Sequence, residues 1–456
     1  MSDLVCISPV NGLEYARRAA ASDAEIEAAL ERARSAQRDW AKAPLEDRCG
    51  LALRFLVAME ALNGGIVPEL AWQMGRPVRY GGELRSLSER VRAMVDIAAG
   101  ALADDAVAEG RRVARVPAGL VLVIAPWNYP FLTAANTIVP SLIAGNAVLL
   151  KHSTQTLLAG ERFAEALAQA GLPEGLFANL FMSHEQTARL LASGGVDHAT
   201  FTGSVEGGRA IERAAAGSFT TLTLELGGKD PAYVRADADL AAAAEGVAEG
   251  AFFNSGQSCC AVERVYVHEA VWAPFLDGFV EAAQAYRLGD PLDPETSLGP
   301  MASAKGAEGV RRQVEEALAG GATAHVERQL FPADRARSAY LMPQVLTGVD
   351  HSMRVMREET FGPVVGLMPV SGDEEALRLM NDSRYGLSAS IWTRDLETAA
   401  RLAARVEAGT VLANRCDYLD PYLAWTGVGD SGRGASLGRY GFEAVTRPRS
   451  YHLRSP

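Results

Sequence analysis

Residues 252–261 read Phe-Phe-Asn-Ser-Gly-Gln-Ser-Cys-Cys-Ala, which sets Cys259 and Cys260 just past a glycine turn, where a helical pattern gives way to a β-rich one. A cysteine there is held on a loop rather than packed in a helix face. Its thiolate would be a nucleophile, although a small apolar core residue is the commoner role for such a thiol. A second segment, residues 221–229, alternates with period 2, so Thr221, Thr223 and Glu225 share one face and Leu222, Leu224 and Leu226 the other. Glu225 then stands at the carboxyl end of a strand beside Gly227 and Gly228. Open α/β sheets place their active sites at that end, and a solvated carboxylate on a polar strand face is the plainer alternative. The interval from position 225 to position 259 is 34 residues.

The elements around these residues alternate. Helical spacing over residues 24–40, and again over 45–63 after Pro44, makes the first quarter helical. From Leu120 onward, strand-like runs at 120–124, 147–150, 198–202 and 221–226 are interleaved with helical patterns at 133–143, 161–170 and 205–216. That order indicates crossover units on a parallel sheet. Beyond Gly228, a helix at 238–253 and strands at 264–268, 364–368 and 388–393 suggest a second α/β unit, and the tail 447–454 is expected to pair with 111–116 as an outlying sheet.

Composition bounds the function. A chain of 456 residues is too long for one compact core. The net charge of -12, from 44 basic against 56 acidic side chains, works against nucleic-acid and anionic-membrane partners. No apolar run approaches the ~20 residues of a spanning helix, and residues 1–10 carry Asp3 and no basic cluster, so a cytoplasmic protein is expected. The five cysteines are odd in number and partly adjacent, which predicts thiols rather than a disulfide framework. None of the seven histidines (His152, His184, His198, His268, His325, His351, His452) falls in the cysteine or glutamate segments, which weighs against a Cys-His hydrolase.

Six motifs in order carry a resemblance: Pro126-Trp127-Asn128-Tyr129-Pro130, the strand end at Lys151, Phe201-Thr202-Gly203-Ser204, Leu224-Glu225-Leu226-Gly227-Gly228-Lys229, Gly256-Gln257-Ser258-Cys259, and Glu358-Glu359-Thr360-Phe361-Gly362-Pro363. With these the chain resembles the aldehyde dehydrogenase superfamily over nearly its whole length, and the 34-residue interval agrees with that family. The resemblance implies an α/β fold of two Rossmann-like doubly wound domains with a small β oligomerisation extension. Residues 1–97 and 118–227 would bind cofactor, 228–430 would be catalytic, and 98–117 with 431–456 would bridge subunits of a homodimer or homotetramer.

The chemistry it implies is oxidation of a small-molecule aldehyde. Cys259 would attack the carbonyl, and the Asn128 amide with the Cys259 N–H would face the resulting oxyanion. Asn128 also suits a plain turn. After hydride transfer, Glu225 would activate the water that hydrolyses the thioester. Relatives that pass the acyl group to coenzyme A generally lack that glutamate, so a free acid is expected; an acylating dehydrogenase and a catalytically silent relative are the competing readings.

No G-x-G-x-x-G opens the first crossover. By resemblance NAD or NADP would lie along Ile124, Ala125, Pro126 and Trp127, with its pyrophosphate at Gly203 and Ser204, where a helix begins and Gly207 and Gly208 allow close approach. A strand-to-helix turn explains those glycines equally. Lys151 would reach the adenosine ribose. Where NAD-selective members carry a glutamate, this chain has Thr154, so NADP should be accepted, with Lys151, His152 and Ser153 facing its 2′-phosphate. Glu359 and Phe361 match the residues that hold the nicotinamide ribose and ring, with a surface turn as the alternative. No metal is implied. Residues 414–425, at the substrate entrance in the family, carry Asp417 and Asp420, which suit either a cationic aminoaldehyde or a solvated loop. Trp425-Thr426-Gly427-Val428-Gly429-Asp430-Ser431-Gly432 departs from the family's Pro-Phe-Gly-Gly run, and the helical segment looks shortened after Asn63.

Overall fold

Leu120–Ile124 and Ala147–Lys151 are buried at every position, as unbroken apolar runs must be when both faces of a parallel sheet are covered. The computed structural model describes residues 3–454; Met1 and Ser2, and Ser455 and Pro456, at the outer ends of the expected 1–97 and 431–456 segments, lie outside the described residues. The two strands sit inside a six-stranded sheet ordered Gly432–Arg433, Thr221–Glu225, His198–Thr202, Leu120–Ile124, Ala147–Lys151, Phe177–Asn179. All neighbours are parallel except the first pair. Strand order reverses between Leu120–Ile124 and His198–Thr202. This switch point is where doubly wound sheets open a crevice beyond their carboxyl ends. Register brings Ile124 beside both Lys151 and Phe201, and Thr202 beside Glu225.

A second sheet of seven strands runs Thr323–Ala324, Gln344–Thr347, Val364–Val370, Val262–His268, Asp230–Val234, Ser388–Trp392, Thr410–Ala413, parallel after its first pair. Three further strands form a separate sheet in which Thr446–His452 lies antiparallel on Arg111–Pro117, from Thr446 beside Pro117 to His452 beside Arg111. This is the pairing expected of the tail. The fold is α/β with two Rossmann-like layers, as the sequence led us to expect.

The first quarter differs in two ways. A hairpin, Leu4–Ile7 with Glu14–Arg18, precedes the helix Asp23–Trp40, whose Ser22 and Glu25 form a reciprocal capping box. The next helix does not shorten at Asn63. It runs Leu45–Met74 through Gly64, Gly65 and Pro68. A helical glycine costs about 1 kcal/mol, which burial of Ile66, Leu70, Ala71 and Met74 offsets. By length and composition this helix could cross a membrane, a test that core helices also pass. Its Leu51, Phe55 and Met59 pack with Leu87, Val91 and Met94 of Leu84–Ala101 in the largest hydrophobic cluster.

Candidate active site

After Leu240–Phe252 the chain passes through three consecutive left-handed residues, Asn254 (φ 52°), Ser255 (φ 59°) and Gly256 (φ 68°). Such backbone persists only where its surroundings over-determine it, and here they do. The Asn254 amide donates to the carbonyls of Asn128 and Gln257, each at 3.2 Å. Ser255 Oγ donates to the Gly299 carbonyl at 2.8 Å, and Gln257 Oε1 accepts from the Ala302 N–H at 2.8 Å. A Cβ on Gly256 would stand 2.3 Å from the Gly362 carbonyl oxygen, so glycine is required by both dihedral and contact. The turn delivers Cys259, half-buried, to the wall of a cavity of about 530 Å³.

Cys260 and Cys416 share that wall. Cys260 Sγ donates to Asp417 at 3.0 Å, and contact with the Cys259 thiol, together with burial, holds it protonated. Cys416 Sγ donates to the Gly246 carbonyl at 3.2 Å, and burial pushes its thiol up. Cys259 has no protein oxygen acceptor among the described residues.

Asn128 is buried where Leu120–Ile124 leads into the helix Pro130–Ala144. Its Nδ2 donates to the Gln257 carbonyl at 3.2 Å, next to the thiol turn. Its own carbonyl accepts from Arg76 Nη2 at 2.6 Å. Arg76 is paired with Glu83 in a buried bridge, and Glu83 Oε2 accepts the Phe131 and Leu132 N–H groups at 3.1 and 2.8 Å, capping that helix.

Glu225 closes its strand as expected, accepting from Thr202 Oγ1 at 3.3 Å. Burial pushes its carboxyl above the ordinary range; the Ser436 hydroxyl, outside hydrogen-bond geometry, Thr202 and Arg90 oppose this. No hydrogen bond joins Glu225 to Cys259 among the described residues, but Gly228 abuts the thiol's residue, and a Cβ there would lie 2.7 Å from the Cys259 carbonyl oxygen. The charge of Arg90 is felt by both groups.

Glu359 folds back on the same glycine pair. Its carboxylate occupies the space a Gly227 Cβ would fill, and Oε1 accepts the Gly228 N–H at 3.3 Å. Burial, with the nearby charge of Glu263, pushes its carboxyl up to about 8. Phe361 (φ 49°) meets Trp127 edge to face, with ring centroids 5.6 Å apart. The loop is pinned by Glu263, which accepts the Thr360 N–H at 2.8 Å, the Phe361 N–H at 2.9 Å and the fully buried Lys229 ammonium. Sequence reasoning did not single out Glu263, Arg76, Glu83 or Arg90. The signal available was a carboxylate, next to Arg264, inside the buried strand Val262–His268.

At the other end of the crevice, Ala125 N–H donates to the Lys151 carbonyl at 3.1 Å, with Pro126 and Trp127 following. Lys151 is 6% exposed, has no ion pair among the described residues, and is held down by burial. One expectation here needs correction. His152 cannot meet a phosphate as a cation, because its ring nitrogens engage the Pro130 carbonyl at 3.1 Å and Thr156 Oγ1 at 3.2 Å, and burial lowers its pKa to about 4. Ser153 Oγ accepts the Gln155 N–H at 3.3 Å. Thr154 opens the short turn Thr154–Thr156. His184, passed over in the sequence, opens the helix His184–Ala192 close enough to Lys151 to be held neutral chiefly by its charge. Gly203 and Ser204 precede the helix Val205–Ala215, with Ser204 Oγ as its cap. Gly207 makes room for the Phe201 ring and Gly208 for Leu226, so those two glycines are required by packing within the protein.

The acidic-mouth expectation also changes. Asp417 (φ 46°) turns inward, and its Oδ1 accepts from Ser258 Oγ at 2.6 Å as well as from Cys260. It buttresses the thiol turn, its Oδ1 engaged by two protein donors rather than free at the mouth. Asp420 accepts the Tyr422 N–H at 2.9 Å within its own turn.

The chain is similar to known proteins over nearly its whole length. The model of the aldehyde dehydrogenase family matches residues 2–451. The succinate semialdehyde dehydrogenase [NAD(P)+] of Escherichia coli (strain K12) is 33% identical over 443 residues, covering 96% of this chain and 95% of that protein. The 2-hydroxymuconic semialdehyde dehydrogenase of Pseudomonas putida is 33% identical over 454 residues, with 96% and 93% covered. Among solved structures, succinic semialdehyde dehydrogenase from Streptococcus pyogenes in complex with NADP+ superposes with a TM-score of 0.93 at 26% identity, covering 99% of this chain and 100% of that one.

Proposed function

This chain belongs to the aldehyde dehydrogenase family, and from that premise we propose that it oxidises an aldehyde to the free carboxylic acid, through a thiohemiacetal and then a thioester on Cys259, with NAD or NADP. One observation carries the assignment. Of the three thiols on the cavity wall, Cys260 and Cys416 are tied to protein oxygens and held protonated by their surroundings, which leaves Cys259 as the nucleophile.

Cys259 Sγ adds to the carbonyl carbon, and the oxygen that gains charge is met by the Asn128 amide and the Cys259 N–H. When bound, the nicotinamide cofactor supplies the acceptor for the hydride that leaves this carbon. Glu225 then takes a proton from water; the resulting hydroxide adds to the thioester, and the C–S bond breaks to give the acid and the Cys259 thiolate. Burial raises the Glu225 carboxyl, which makes its carboxylate a stronger base toward water.

The residues present fit such a cofactor. Lys151 is a buried ammonium without a counter-charge among the described residues, Ser204 and Gly203 offer a helix N-terminus, and Glu359 holds a carboxyl proton that ribose hydroxyls would replace. Ile124, Ala125, Pro126 and Trp127 would line the crevice between them, with Phe361 over the ring. Thr154 puts no carboxylate near Lys151, so the 2′-phosphate of NADP is tolerated, with Lys151 rather than His152 as its cation. On this reading residues 1–97 and 118–227 form the cofactor unit, 228–430 the catalytic unit, and 98–117 with 431–456 the bridge of a cytoplasmic homodimer or homotetramer.

The test is an aldehyde panel, headed by the semialdehydes named for the two relatives, with absorbance of the reduced cofactor and assay of the acid. One acid per reduced cofactor without coenzyme A is expected, and none with Cys259→Ala. Full activity in that variant would overturn the mechanism, and a requirement for coenzyme A would replace it with acyl transfer.

A further inference from the structure

Arg90 projects from Leu84–Ala101 onto the cavity wall that also carries Cys259. It is 8% exposed, yet among the described residues it has no carboxylate partner. Only its Nη1 is engaged, with Asn136 Oδ1 at 3.0 Å and the Leu132 carbonyl at 3.4 Å, both neutral. Nε and Nη2 have no protein acceptor among the described residues. Glu83, the foremost opposing charge near it, is already taken by Arg76 and by two backbone N–H groups. Asn136 is 2% exposed, and its Nδ2 is buried with no acceptor among the described residues. Turning that amide over would only set its NH₂ against Arg90 Nη1, so the vacancy is a property of the site.

A buried cation without a paired carboxylate is costly, and an anionic oxygen in the cavity beside its free N–H groups relieves that cost. The acids on the same wall do not supply it. Glu89, Glu245 and Glu249 are exposed to water, which screens them, and Asp417 is turned to Ser258 and Cys260, with burial pushing its carboxyl up.

We propose that Arg90 anchors a carboxylate carried by the aldehyde, so that the preferred substrates are short aldehydes bearing a terminal carboxylate rather than neutral or cationic ones. The inference rests on Cys259 being the nucleophile of this cavity, since the anchor has meaning only if the carbonyl is presented to that thiol. A guanidinium paired with a carboxylate makes charge-assisted, bidentate hydrogen bonds that a lysine reproduces only in part.

The test compares 4-oxobutanoate with butanal, equal in carbon number, at saturating cofactor, in the intact enzyme and in Arg90→Met and Arg90→Lys. The unaltered enzyme should favour 4-oxobutanoate in kcat/KM by at least about tenfold, and Arg90→Met should lower that ratio roughly 10- to 100-fold, mainly through KM, with Arg90→Lys intermediate. Butanal oxidised as well as 4-oxobutanoate, or a ratio unmoved by Arg90→Met, overturns the anchor and leaves the reaction standing. Oxidation of neither aldehyde, nor of any other in the panel, overturns both readings. Should Arg90→Met not fold, inhibition of the unaltered enzyme decides. Butanoate should compete with aldehyde at least about tenfold more tightly than butanamide, and equal inhibition overturns the proposal.

Discussion

Gly256→Ala strikes the joint between the two halves of the site. The residue has φ 68°, and its added Cβ would lie 2.3 Å from the Gly362 oxygen, 2.5 Å from the Gly362 carbonyl carbon and 2.9 Å from the Pro363 nitrogen. The left-handed dihedral alone costs an alanine about 1–2 kcal/mol, of which a stiffer unfolded chain returns about 0.4–1 kcal/mol. The contact adds more, because every clashing atom is backbone and cannot rotate away. Restoring van der Waals distance requires a separation of about 1 Å, which must move Cys259, three residues on, or Phe361, beside Gly362. A 1 Å displacement of reacting groups costs about 10²-fold in rate. Gly171→Ala isolates the dihedral cost, since Gly171 has φ 80° and nothing within 4 Å of the added atom. Urea unfolding and kcat/KM would be measured for both. We expect Gly171→Ala to lose about 1 kcal/mol of stability and no activity, and Gly256→Ala to lose about 2–4 kcal/mol and about 100-fold in kcat/KM. If the two variants behaved alike, the close packing of the thiol turn on the Phe361 loop would be refuted.

Thr154→Glu sets a carboxylate near Lys151, and like-charge repulsion should lower kcat/KM with NADP relative to NAD by roughly 10- to 100-fold; an unchanged ratio of the two cofactors would remove Thr154 from that site. Glu359 binds its proton more tightly when folded, at about 8, than the ordinary 4.5. Its stabilising contribution is therefore complete below about pH 4.5 and is lost as pH rises through about 8. Relative to Glu359→Gln, the cofactor-free enzyme should lose a few kcal/mol between about pH 5 and 8.5 in urea titrations, whereas a constant difference between the two proteins would contradict the buried carboxyl.

What the sequence disclosed follows what local patterns can encode. Strands Leu120–Ile124 and Ala147–Lys151 were legible because burial on both faces demands an apolar run. Asp230–Val234 was not, although it lies inside the seven-stranded sheet. It opens with a charge and a proline, and its Asp230 is satisfied by Ser388, 158 residues away. The helix through Gly64 and Gly65 was cut short because intrinsic propensity is local and the packing that overrides it is not. At the site, Cys259, Glu225 and Asn128 came from motifs and their order, and the structure gathers their segments around the Gln257 carbonyl and Gly228. Arg76, Glu83, Glu263 and Arg90 stayed hidden because each acts on a partner 42 to 98 residues away in the chain. Asp417 was misread because its type suggests solvent, whereas its left-handed backbone turns it onto the thiol turn.

The central claim is that the acyl group passes through Cys259 and leaves with the help of Glu225. Glu225→Gln removes the base while leaving the thiol, so the enzyme should be caught between the two halves of its reaction. Mixed with NADP and aldehyde, then acid-quenched and digested, this variant should show about one reduced cofactor per site and a matching acyl mass on the peptide carrying Cys259. A burst with no adduct, or an adduct on Cys260 or Cys416, would contradict the account.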